Sequence, residues 1–214
     1  MGQRKQHRST GPPERREAAR DTGVITIRPL EAERWSDVER LFGPRGACAG
    51  CWCMFWRQSQ ADYQRLRGSG NKRAFKKLVI GGERPGVIAY SGKEPVGWCA
   101  VAPRERYKRL ERSRVLAPID GARVWSIVCF FVARPFRRRG VTRQLIDGAM
   151  TLAKKQGART VEGYPVEPKM GRGMADVFAY TGVASAFRKA GFREALRRSP
   201  TRPIMRRDTI SGGA

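Results

Sequence analysis

The chain is short of histidine and of acid. It holds one histidine, His7, in the basic N-terminal stretch, so no catalytic triad built on an imidazole base is expected. Only 19 of its 214 residues are Asp or Glu, against 44 Lys or Arg, a formal net charge of +25. Most cations therefore lack an acidic partner of their own, and such a field attracts polyanions such as nucleic acids and nucleotides. No apolar run reaches spanning length, and no signal-peptide core stands near the start, so no membrane span is expected and the cytoplasm is the expected compartment. Cysteines number five, an odd count that does not make a disulfide framework. Three of them, Cys48, Cys51 and Cys53, lie close together. Structural zinc takes four ligands, and Cys99 and Cys129 sit in strand-like runs, so no metal is expected. No internal repeat is apparent.

What is present is organised around residues 124–150. Val124 to Val132 is a nearly continuous apolar run, β-branched and aromatic, which suits a central strand covered on both faces. Pro135 closes it. From Val141 the apolar residues Val141, Leu145, Ala149 and Leu152 recur at helical spacing. Between strand and helix stand Arg137, Arg138, Arg139 and Gly140. A helix start offers unpaired amides and the positive end of the dipole, and a glycine lets backbone approach an anion. The turn is thus a candidate phosphate or pyrophosphate site. It is neither a Walker loop nor the Gly-x-Gly-x-x-Gly of dinucleotide folds.

The flanks read in order. Residues 1–22 are Arg-, Glu-, Gly- and Pro-rich and are expected as a disordered basic tail. Residues 24–30 suit a strand, and 31–42 a helix stopped by Gly43-Pro44. The aromatic loop from Cys48 to Trp56 should fold inward, as core packing or as part of an acceptor pocket. Two short helices follow, over 61–67 and 71–80, with Asn71 as N-cap of the second. Residues 87–90 and 96–102 make a hairpin ended by Pro103. Residues 105–114 suit a charged surface helix, and Gly157 suits the C-cap of the central helix. A short strand over 160–165, a loop over 168–176, a helix over 182–189 and strands over 193–198 and 203–207 complete the domain, expected to run from 23 to 208 with 209–214 frayed.

Arg137-x-x-Gly140-x-Thr142 resembles the pyrophosphate signature of the GNAT family, the Gcn5-related N-acetyltransferases, written Arg/Gln-x-x-Gly-x-Gly/Ala; Thr142 departs at the last position. Gly97-Trp98-Cys99-Ala100-Val101 resembles the family's middle antiparallel strand. Phe187-Arg188-Lys189-Ala190-Gly191-Phe192 resembles its Tyr/Phe-x-Lys-x-Gly-Phe helix exit. The likeness spans about residues 24–207 and implies an α+β fold: a mixed, mostly antiparallel central sheet with helices on both faces and a splayed cofactor cleft.

The resemblance implies acetyl-CoA as the acetyl donor, a primary amine as acceptor and no metal. Its cofactor arm would pair with the backbone of Phe130, Phe131 and Val132, and its pyrophosphate would lie on Arg137, Arg138, Arg139, Gly140, Val141 and Thr142. Ser185 and Phe187 would border the thiol side. Phe187 stands where many members carry a tyrosine acid, and Ser126 where some carry a glutamate base. Glu162 and Tyr164, on one face of a strand expected to border the cleft, are the catalytic candidates; a salt-bridge role is the competing reading of Glu162. With both usual groups missing, a degenerate fold binding RNA or protein is the alternative function. Non-specific nucleic-acid contact and a homodimer complete the expected partners.

Overall fold

The computed structural model describes residues 24–167 and 180–209. The strands are β1 (Ile25–Pro29), β2 (Gly86–Ser91), β3 (Glu94–Pro103), β4 (Trp125–Val132), β5 (Thr160–Gly163), β6 (Arg193–Arg197) and β7 (Pro203–Asp208). The helices are α1 (Trp35–Phe42), α2 (Gln60–Arg65), α3 (Ser69–Ile80), α4 (Lys108–Glu111), α5 (Val141–Lys155) and α6 (Ala184–Lys189). One seven-stranded sheet runs in the order β1-β2-β3-β4-β5-β7-β6. Every neighbouring pair is antiparallel except β4 and β5, which are parallel and joined through the crossover helix α5. This is the mixed, mostly antiparallel sheet that the resemblance implied.

Apolar side chains on the two faces form two cores. One gathers α1, α3, α4 and the 47–56 loop around Trp98, Val128 and Tyr164. The other gathers α5 and α6 around Ile127, Phe130 and Val161. Covered on both sides, β4 has no polar face to show, which is why it reads as an unbroken apolar run. α5 sits close on the sheet because Gly97 and Gly148 leave room. A Cβ at Gly97 would meet Val141 and Leu145 at 3.1 Å, and one at Gly148 would collide with Ile27.

Several local expectations need correction. Asn71 is not an N-cap: α3 begins two residues earlier, after Gly68 at φ +78°, and buried Asn71 donates from Nδ2 to the carbonyl of Gly50 at 3.2 Å. Residues 105–114 are not one surface helix. A 3-10 turn (Arg104–Arg106) and the single turn α4 replace it, because Arg104, Tyr107 and Leu110 all point inward. α6 starts at Ala184 rather than Gly182, since Gly182 takes φ +83° and Val183 is extended and bridges to Val166. β7 extends through Asp208, whose carboxylate accepts from Thr160 Oγ1 at 2.6 Å. The expected tail over 1–22 and loop over 168–176 lie outside the described residues.

Candidate active site

β4 and β5 pair over three residues only, Trp125–Val161, Ser126–Glu162 and Ile127–Gly163. They then part. On the other edge of β4, Val101 opposes Ile127 while Ala100 opposes Cys129, so Val128 is an extra residue. Such a bulge bends a strand and increases its twist, and it falls one residue past the last β4–β5 pair. Phe187 wedges the opening. It is fully buried, its ring packs on Phe130 and Phe192 at centroid distances of 6.0 and 5.1 Å, and it lies so close over Gly163 that no Cβ fits there.

The edge of β4 that faces the opening is partly used. The amide of Phe130 donates to the carbonyl of Tyr180 at 2.6 Å. By strand alternation Val132 offers the next amide on that edge, and the Val132 carbonyl accepts from Arg137 Nε at 3.0 Å. Phe131 points instead to the α1 face, where its ring meets Phe42 at 5.8 Å. Ser185 is exposed on α6.

The turn begins where Ala133 donates to the carbonyl of Val96, followed by a 3-10 turn (Arg134–Phe136). Arg137 is extended, Arg138 takes φ +61°, and Gly140 takes φ +79° and ψ 0°. The carbonyl of Gly140 accepts from the amides of Arg143 and Gln144 at 3.0 and 3.3 Å, which sets it as the helix cap. Residues 137–140 are exposed, Thr142 is half-buried, and Val141 is buried and anchors α5. The result is a basic loop leading into a helix start, where the amides of Val141 and Thr142 precede the first intrahelical bond, from Arg143 to the Gly140 carbonyl. A Cβ at Gly140 would meet nothing within 4 Å, so glycine is required here for its left-handed backbone.

Glu162 and Tyr164 come together behind the β4–β5 pair. The Tyr164 hydroxyl donates to Glu162 Oε2 at 2.6 Å, accepts from Arg104 Nη1 at 2.7 Å, and lies 2.8 Å from Ser126 Oγ. Arg206 Nε donates to Glu162 Oε1 at 2.8 Å, and Arg104 Nη1 lies 3.5 Å from Oε2. Arg104 also donates to the carbonyls of Leu116 and Leu110, at 2.7 and 3.3 Å. Burial, then the Glu162 charge, pushes the Tyr164 hydroxyl far above its usual range. Glu162 is 1 % exposed with both oxygens engaged, so the carboxylate does carry the salt-bridge role.

The three clustered cysteines do not converge. Cys48 is exposed. Cys51 donates to the Gly46 carbonyl at 3.6 Å, and burial raises its thiol to about 11. Cys53 accepts from Trp98 Nε1 at 2.8 Å and lies 3.9 Å from Cys129 on the same face of the sheet. Among the described residues no three His, Cys, Asp or Glu side chains gather as metal ligands. Sequence reading did not find the aromatic cluster of Phe55, Trp56, Tyr63 and Tyr180 with Arg109 stacked on it, or the half-buried Arg202 beside Thr181. The run of aromatics after Cys51 was its one visible signal.

A parallel strand pair that splits after three residues, with a basic left-handed turn leading from it into a helix, marks the opening of this α+β domain. The model of the acetyltransferase (GNAT) family matches residues 51–168, more than half of the sequence, and the chain belongs to that family. No curated protein matches the chain. Among solved structures, a GNAT-family acetyltransferase from Streptococcus agalactiae 2603 shares 13 % identity over 87 % of this chain and 96 % of its own, with a TM-score of 0.50. PaiA N-acetyltransferase from Thermoplasma acidophilum, in complex with coenzyme A, shares 14 % over 86 % of this chain and 99 % of its own, at 0.47. YncA from Salmonella typhimurium, with its cofactor acetyl-CoA, shares 10 % over 89 % and 96 %, at 0.48. At these identities the likeness is one of fold.

Proposed function

We propose that the protein is an N-acetyltransferase that moves the acetyl group of acetyl-CoA to a primary amine. The observation that carries this reading is the turn over residues 137–142, placed where β4 leaves β5. Its amides and the side chains of Arg137, Arg138 and Arg139 suit the pyrophosphate, with Gly140, Val141 and Thr142 supplying the helix start. The pantetheine arm would run along Phe130, Phe131 and Val132 toward Ser185 and Phe187. Because Tyr180 holds the Phe130 amide, the Val132 amide is the open position for strand-like pairing, and pairing at Phe130 requires Tyr180 to withdraw.

In the reaction the amine nitrogen bonds to the acetyl carbon, the carbon–sulfur bond breaks, and the amine's proton leaves while the thiolate takes one up. Phe187 has no proton to give. Proton handling belongs, in this proposal, to Glu162 and Tyr164, joined to Ser126 on the cofactor strand. Holding amine and thioester together supplies much of an aminolysis barrier, so the pair need not act at full strength.

Calorimetry tests the donor site. Gly140→Val forces a β-branched residue to φ +79°, a cost of about 1–3 kcal/mol, and should weaken acetyl-CoA binding at least about tenfold. Gly140→Asn, which tolerates the left-handed region, should retain most of the affinity. Unchanged affinity in the valine variant would remove the turn from the donor site. Tight acetyl-CoA binding with no thiol release against any amine would favour a degenerate fold that binds without turnover.

A further inference from the structure

Arginines in the described interior are matched to acids. Arg57 pairs with Glu83 at 2.6 Å, Arg104 with Glu111 at 3.3 Å and with Glu162, Arg197 with Glu194 at 2.6 Å, and Arg206 with Asp120 at 2.6 Å. Two half-buried arginines break the pattern. Arg109 has its guanidinium 4.0 Å from the ring centroid of Phe55 and 5.5 Å from that of Tyr63. Its Nε and Nη2 are sealed from solvent and meet no acceptor among the described residues. Arg202 donates from Nη1 to Thr181 Oγ1 at 3.2 Å, and among the described residues no carboxylate meets it. Burial holds both guanidiniums below their ordinary range.

Both lie beside Tyr180: Arg109 stacks on Phe55, whose ring meets that of Tyr180, and Arg202 bonds Thr181, the next residue. The Tyr180 ring packs on Phe55 and Trp56 at 6.3 and 6.5 Å, and its carbonyl takes the Phe130 amide. The cluster therefore abuts the β4 edge at the split, on the sheet face opposite α5. A desolvated cation without a counterion is costly, and among the described residues the other interior arginines meet acids while these two, beside the reaction cleft, do not.

We propose that Arg109 and Arg202 form the anion subsite of the acceptor, so that the amine acetylated carries a carboxylate, as a free amino acid does, with Phe55, Trp56 and Tyr63 walling its side chain. The inference rests on the acetyltransferase reading above. It also eases the proton problem: two cations near an acceptor ammonium favour its neutral, nucleophilic form.

The test uses the full-length protein. Thiol release from acetyl-CoA is followed with a panel of L-amino acids, their carboxamides and the corresponding decarboxylated amines. Amino acids should exceed their amides in kcat/KM by roughly 10- to 100-fold, the worth of a charged hydrogen bond. Arg109→Met and Arg202→Met should each raise KM for the acids and shrink the acid-to-amide ratio, with acetyl-CoA affinity held, and Arg109→Lys should restore part of the ratio. A purely structural arginine would lower thermal stability and leave the ratio alone, and that result overturns the proposal. So does a ratio near one, or acetyl-CoA binding with no panel amino acid either acetylated or bound by calorimetry. Loss of the donor reading is seen separately, as absence of acetyl-CoA binding; amino-acid binding that still depends on Arg109 and Arg202 would then support the subsite by itself.

Discussion

Glu162 carries two loads that one substitution separates. It closes an interior ion network with Arg206, Arg104 and Tyr164, and it lies beside Ser126 on β4. Glu162→Gln removes the charge and keeps the shape. Breaking a buried pair costs about 3–5 kcal/mol when a bare charge is left, and less here because Arg206 keeps Asp120 at 2.6 Å. A lower Tm is therefore expected. If Glu162 also takes the amine's proton, kcat should fall by about 10²–10⁴ beyond the loss of folded protein, with acetyl-CoA affinity unchanged. A kcat that falls only with the folded fraction would leave Glu162 a structural residue. Gly163, its neighbour, has a simpler role. Gly163→Ala drives a methyl into the buried Phe187 ring and should cost about 1–3 kcal/mol, read as a drop in Tm; a neutral alanine would show that Phe187 can move.

At the scale of elements, what could be read from the sequence was what depends on local pattern. β4 and α5 were legible because an apolar run and a 3.6-residue period are written in one stretch each. The turn at Gly140 was legible as a turn because it stands between that strand and that helix. The split after Ile127 was not, since it depends on register: the bulge at Val128 exists only relative to Ala100 and Val101 on β3. Tyr180 at the Phe130 amide was hidden for the same reason, being a backbone contact between segments fifty residues apart in sequence. Asn71 misled because its side chain answers the Gly50 carbonyl, a tertiary partner, in place of its own helix start. Arg109 and Arg202 were invisible for a compositional reason. Among 44 basic residues nothing local marks the two half-buried arginines that meet no acid among the described residues.

For the whole molecule, the shortage of acid makes each carboxylate matter to the pH range of folding. Hydrogen bonds and charge from Arg206 hold Asp120 at about 2, from Arg188 and Arg197 lower Glu167, from Arg197 lower Glu194, and from Lys72 lower Glu39. A carboxylate depressed in the folded state contributes stability that is complete above its unfolded value, 3.8 for Asp and 4.5 for Glu, and lost as pH falls through the folded value. Burial raises Tyr107 and Tyr164 above 10.0, and a raised tyrosine contributes stability that is lost as pH rises beyond that point. Tm should thus hold a plateau between these limits and decline on both sides.

The acid limb has a specific check. Asp120 accepts from both Nη1 and Nη2 of Arg206, at 2.6 and 3.0 Å, and that fork orients the arginine whose Nε reaches Glu162. Asp120 is itself at the surface, so its direct contribution is screened by water. Its larger effect runs through Arg206, which loses its second carboxylate when Asp120 is neutral. Asp120→Asn should lower Tm at pH 6, where the wild-type carboxylate is charged. The two proteins should converge as pH falls from 3.8 toward about 2, because the wild-type side chain then takes up the proton that the variant never lost. Thermal melts at fixed ionic strength across that range decide it. Curves that stay parallel down to the lowest pH would show that the Asp120–Arg206 fork contributes through packing rather than charge.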